Sequence, residues 1–173
     1  MRHCISVLLQ NEVGALTRLT GLFSSRGYNI ETLNVAPTDD PQVSRLTMVV
    51  DGSDEVIGQI NNQMGKLVDV VNIHDMTLGE HFERELLILK MRLDIGGYAR
   101  VQKLVSDAGA LVLDESQASF TIQLVGRPGE IDAFVREAGE TGDLLAVARS
   151  GSVAVSKGIV TLSSYDDTRR LTG

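Results

Sequence analysis

Two short stretches hold the residues whose types and spacing suit chemistry. In "NEVGAL", Asn11 and Gly14 stand where an apolar run gives way to a helical period. In "GYNI", Asn29 follows Gly27 by two positions. Asn11 reads as a cap for the coming helix, and Gly14 as a glycine in its first turn. A glycine there costs about 1 kcal/mol against alanine. What it provides is close approach to backbone N–H groups that favour a carboxylate. Asn29, at the start of the next strand, offers both a donor and an acceptor. Such a set suits a zwitterion, with helix N–H groups for the carboxylate and Asn carbonyls for the ammonium. Val13, Leu16, Ile30 and Val35 are the apolar neighbours for an aliphatic side chain. A plain helix cap beside a tolerated small residue is the competing reading of the same letters.

The other chemistry-bearing residues form no constellation. His3, His74 and His81 are scattered, and with the single cysteine, Cys4, they give no metal-ligand spacing. "GEHFERE" reads as a solvated linker, and "TDDP" as turn chemistry, not as cation sites. No nucleophile–base signature, phosphate-cradling loop or dinucleotide fingerprint occurs. The chain is therefore read as having no catalytic residues, no metal and no cofactor of its own. Arg18, Arg26 and Arg45 are read as solvated faces around a core, with an acidic partner surface as the alternative.

The elements that position these residues follow from hydrophobic period. "CISVLLQ" (residues 4–10) is a strand, and from Gly14 to Arg26 Leu16, Leu19, Leu22 and Phe23 share a helical face ended by Gly27. "YNIETLNVA" and "SRLTMVVDG" alternate as strands around the turn "PTDDPQ". Val56, Ile57, Ile60 and Met64 form a second helical stripe after Ser53, and "KLVDVVNIHD" is a closing strand. The order is β-α-β-β-α-β, and the second half repeats it. "RELLILKMRLD" is a strand, "YARVQKLVSDAG" a helix, "ALVLDE" and "SFTIQLVG" two strands, "GEIDAFVREAG" a helix and "DLLAVARSG" a strand. This predicts an α+β fold of two tandem ferredoxin-like units, antiparallel sheets with two helices on one face. The expected division is 1–78, 79–158 and a tail, 159–173, without regular period and partly disordered.

Composition narrows the class. With 173 residues and 43% hydrophobic content, the chain supports two small cores without disulfides. Aromatics are 4% with no Trp, so those cores are aliphatic. A net charge of −7 and a pI near 4.9 argue against a nucleic-acid backbone or an anionic membrane as partner. One cysteine in an apolar run fits a reducing compartment, and no apolar run reaches the roughly 18 residues of a membrane span. A cytoplasmic protein is the expectation.

The run "NEVGALTRLTGLFSSRGYNIETLNVAPTDDPQVSRLTMVV", with "KLVDVVNIHD" and "ERELLILK", resembles the small regulatory subunit of acetolactate synthase (acetohydroxyacid synthase). The resemblance runs from about Arg2 to Lys90 and resumes at "AVARSGSVAVSKG" (residues 146–158). It implies an N-terminal ACT domain, an amino-acid sensor, and an ACT-like second unit. It further implies a non-catalytic partner of the catalytic large subunit, raising its activity and conferring feedback inhibition by valine in branched-chain amino-acid biosynthesis. Thiamine diphosphate, Mg and FAD would then sit only on the catalytic subunit. By motif, the effector site would use Asn11, Gly14, Ala15, Leu16, Asn29 and Ile30, with Ala36 and Gln59 tied to feedback response. In this topology the second strand, from Tyr28 to Ala36, lies at a sheet edge, and pairing it with its copy makes a homodimer. A stand-alone ACT-type sensor of another enzyme or a transcription factor shares the fold and site but not the partner.

Overall fold

The computed structural model of the protein describes residues 1–93, 96–116, 119–159 and 161–162. Strand β1 (Arg2–Gln10) leads into helix α1 (Ala15–Arg26), the hairpin β2 (Ile30–Pro37) and β3 (Val43–Asp51), helix α2 (Asp54–Met64) and strand β4 (Val70–Asp75). A short 3₁₀ turn (Met76–Leu78) precedes β5 (His81–Leu93), α3 (Tyr98–Ala108), β6 (Leu111–Glu115), β7 (Ser119–Gly126), α4 (Pro128–Thr141) and β8 (Gly142–Arg149). A last strand, β9, spans Val153–Ser156. The two sheets run β2-β3-β1-β4 and β6-β7-β5-β8, each with antiparallel pairings. This is the expected pair of β-α-β-β-α-β units.

Alternation builds the first core. Ile5, Val7 and Leu9 of β1 face the same side as Leu46, Met48 and Val50 of β3. Leu19 and Phe23 of α1 and Ile57, Ile60 and Met64 of α2 close over them. α1 ends as the sequence predicts: Gly27 is left-handed at φ 69°, and the Tyr28 N–H donates to Phe23 O at 3.0 Å. Ser53 caps α2, its side chain accepting from the Val56 N–H. In the second unit Leu87, Leu89 and Met91 of β5 pack with Val101, Ile131 and Phe134 from the helices.

Among the described residues, contacts divide the chain into Met1–Phe82 together with those from Ser152 onward, and Glu83–Gly151. This differs from the expected continuous second unit 79–158, and β9 is the reason. Its Ala154 is buried with Cys4 and Met76 of the first unit, and the Ala154 carbonyl accepts from Arg45 Nη2 at 2.9 Å. Arg2 Nη2 donates to Ser152 Oγ at 3.3 Å in the same region. β9 pairs with β5, whose first residues, His81 and Phe82, close the first unit. Of the tail expected at 159–173, residues 160 and 163–173 lie outside the described residues.

The linker reading of "GEHFERE" is corrected as well, because β5 starts at His81. The last residue of that run, Glu85, is 2% exposed, and a fork from Arg149 holds both its oxygens. No helix among the described residues is long and apolar enough to cross a membrane.

Candidate effector site

The loop after β1 is tied down on two sides. Gln10 N–H donates to Asp69 O at 2.8 Å, and Asn11 N–H to Gln42 O at 2.7 Å. The Asn11 side chain then donates from Nδ2 to Pro41 O at 3.0 Å. Asn11 is therefore no helix cap, contrary to the sequence reading. It pins the β2–β3 turn, because the chain makes a further turn before the helix begins, with Glu12 N–H bonded to Gln10 O.

The cap position belongs to Gly14, at φ 87° and without a side-chain hydrogen bond. Gly14 is thus not in the first helical turn either. At a left-handed φ glycine is the favoured residue, so the helix-interior penalty does not apply. Space adds a second demand, since a Cβ at position 14 would stand 2.8 Å from Arg18 Nη1. Ala15 is buried in the core, whereas Leu16, two residues past the cap, is exposed.

Asn29 and Ile30 lie elsewhere in the same unit. α1 has 12 residues, a rise of roughly 18 Å, and they follow its far end. Register gives the same separation: Ile30 pairs with Val50, which pairs with His3, seven residues before Gln10, or roughly 23 Å along β1. Ala36 sits at the Gly14 end, opposite Arg45, which is opposite Leu8. Gln59 is an exposed residue of α2. One chain therefore gathers Asn11, Gly14, Leu16 and Ala36 towards one end and Asn29 and Ile30 at the other. β2 is an edge strand, as the topology predicts.

The sequence reading missed the pair that dominates the charge at this end. Arg18 Nε and Nη2 hold the two oxygens of Asp69 at 2.5 and 2.7 Å, and the Asp69 side chain is 4% exposed. The mutual hydrogen bond raises the Arg18 pKa and holds the Asp69 carboxyl below its ordinary range. Spacing held half the signal: Arg18 is four residues from Gly14, so the two share a helix face. Asp69 gave none, because only the fold of the α2–β4 loop brings it to β1. Arg45 is likewise not a solvated face, being half-buried against Ala154, and its desolvation lowers its pKa.

A cavity of about 330 Å³, lined by Asn61, Ile73, His74, Asp75 and Leu78 among others, contains none of the residues picked from the sequence. His3 touches its lining: Nδ1 lies 3.2 Å from Asp75 Oδ2, and Nε2 lies 3.3 Å from Asp54 Oδ1.

Comparison with known proteins agrees with this architecture over nearly its whole length. A family model described as an AHAS small subunit-like ACT domain matches residues 5–72. A second, described as the small subunit of acetolactate synthase, matches residues 84–158 without a break. The chain is 43% identical over 158 residues to the acetolactate synthase isozyme 3 small subunit of Escherichia coli, covering 91% of this chain and 97% of that one. To the acetolactate synthase small subunit of Haemophilus influenzae it is 42% identical, again over 91% and 97%. The crystal structure of the acetolactate synthase small subunit from Thermotoga maritima superposes with a TM-score of 0.84 at 29% identity, covering 92% of this chain and 99% of that one.

Proposed function

Because the chain belongs to the family of acetolactate synthase small subunits, we propose that it raises the activity of the catalytic large subunit and makes it inhibitable by valine. The relatives are named as small subunits, and they are matched almost end to end, which supports a role beside a larger catalytic chain. Thiamine diphosphate, Mg and FAD belong to that larger chain in this reading, and the complex works in the cytoplasm. The observation that carries the effector role is Gly14, a left-handed cap at the start of α1 with a guanidinium over it.

The separation of Gly14 from Asn29 fits a site shared between two copies. An antiparallel pair of β2 edges about a two-fold axis near Leu33 would lay the Ile30 end of one strand beside the Ala36 end of the other. Asn29 of the partner subunit would thereby approach the Gly14 end of this one. An effector in that seam binds one arrangement of the dimer better than another, and this difference is what reaches the large subunit.

Reconstitution with the purified large subunit tests the proposal. Added chain should raise acetolactate formation, and valine should remove that gain while serine does not. No change in rate on adding the chain would overturn the partner, and an insensitive complex would overturn the effector.

A further inference from the structure

Arg149 shows what a fully used guanidinium looks like in this protein. Its Nε and Nη2 hold Glu85 at 2.7 and 2.8 Å, and its Nη1 donates to Asp132 Oδ1 at 2.7 Å. Arg18 repeats half of that arrangement. Nε and Nη2 hold Asp69 in the same way, and Nη1 meets no acceptor among the described residues. A guanidinium carries five N–H donors in a rigid fork, so those on Nη1 are still available. They lie on the Gly14 side, with Nη1 2.8 Å from where a Cβ on Gly14 would stand. The Arg18 side chain is 48% exposed and Asp69 is 4% exposed, so the fork is anchored below and open above.

We propose that Arg18 binds the carboxylate of the amino-acid effector through Nη1, as Arg149 takes Asp132, with Asp69 as the positioning residue. This deepens the effector reading given above and rests on it. A guanidinium already held by a buried carboxylate loses little freedom when a second carboxylate arrives. Glu12 also acts on Arg18. Its negative charge disfavours a bare carboxylic acid at this site and favours a ligand that brings its own ammonium.

The test uses the full-length chain together with its large subunit. Valine and valinamide, which lacks the carboxylate, are compared by competition binding for wild type, Arg18→Gln, Arg18→Lys and Asp69→Asn. Arg18→Gln should weaken valine roughly tenfold to a hundredfold and leave valinamide unchanged. Arg18→Lys should recover part of the loss, and Asp69→Asn should fall between Arg18→Gln and wild type. Equal weakening of valine and valinamide would mean that Arg18 only supports the fold, and undiminished valine binding would mean it has no role. Either result overturns the inference and leaves the effector reading standing. If the wild-type complex neither binds nor responds to any branched-chain amino acid, the effector reading falls and this inference falls with it.

Discussion

Gly14 and Arg18 are so close that a Cβ on the first would stand 2.8 Å from Nη1 of the second. Two requirements meet at position 14, a left-handed φ of 87° and room for a guanidinium. Gly14→Ala should cost about 1–2 kcal/mol of stability through the backbone alone, read as a lowered denaturant midpoint. Gly14→Asp has a further effect. Its carboxylate stands beside Nη1, so the chain fills its own unfilled donor. The expected outcome is a complex that is still stimulated and no longer inhibited by valine. Titrating the reconstituted enzyme with valine checks it, and unchanged sensitivity would remove Gly14 from the site.

Asp69 should leave a signature in acid. Its carboxyl is held below the ordinary range by Arg18, whereas in the unfolded chain it titrates near about 3.9. The depressed value means that its contribution is complete above that unfolded pKa and is lost as pH falls through the folded one. Asp69→Asn should therefore lower stability at neutral pH and flatten the fall in stability below about pH 4. Urea unfolding from pH 7 to pH 2 measures this, and parallel curves for both proteins would contradict it.

Glu85 makes a buried ion pair whose loss should be visible in the second unit. Glu85→Ala leaves Arg149 half-wetted with only Asp132. About 3 kcal/mol is expected, the lower end for breaking a buried pair because water still reaches Arg149. Hydrogen exchange should localise the loosening to β5 and β8. Exchange unchanged in those strands would show that the pair is dispensable.

What the sequence reveals and what it hides divide along contact distance. The strands, the helices and the left-handed glycines Gly27 and Gly109 are readable because period and end signals are local. The edge position of β2 follows once the element order is known. Asp69 beneath Arg18, Glu85 beneath Arg149 and Ala154 beside Cys4 are not readable, since each pairs residues dozens of positions apart. No local pattern records them. The misreadings of Asn11 as a cap and of Gly14 as a first-turn residue have a subtler cause. Helix-start signals are uncertain by a few residues, and here one extra turn intervenes.

The dimer seam is open to a direct test on β2. Val35 is 39% exposed on this edge strand. A lysine there puts a charge into the seam that pairing would have to desolvate, and so blunts the edge. Val35→Lys should shift sedimentation equilibrium towards the single chain and weaken valine inhibition in parallel. A dimer of undiminished strength would place the contact elsewhere.

The burial of Ala154 against Cys4 and Met76 also bears on how the chain is made. A ribosome delivers residues in order, so the first unit cannot be completed when its own six core elements have emerged. It must wait until the whole of Glu83–Gly151 has been synthesised and β9 has left the exit tunnel. During that interval the face carrying Cys4 and Met76 is uncovered. A gene fragment cut at the end of the first unit would keep it uncovered permanently. For expression of the sensor half alone, β9 has to travel with it, spliced on behind a short linker.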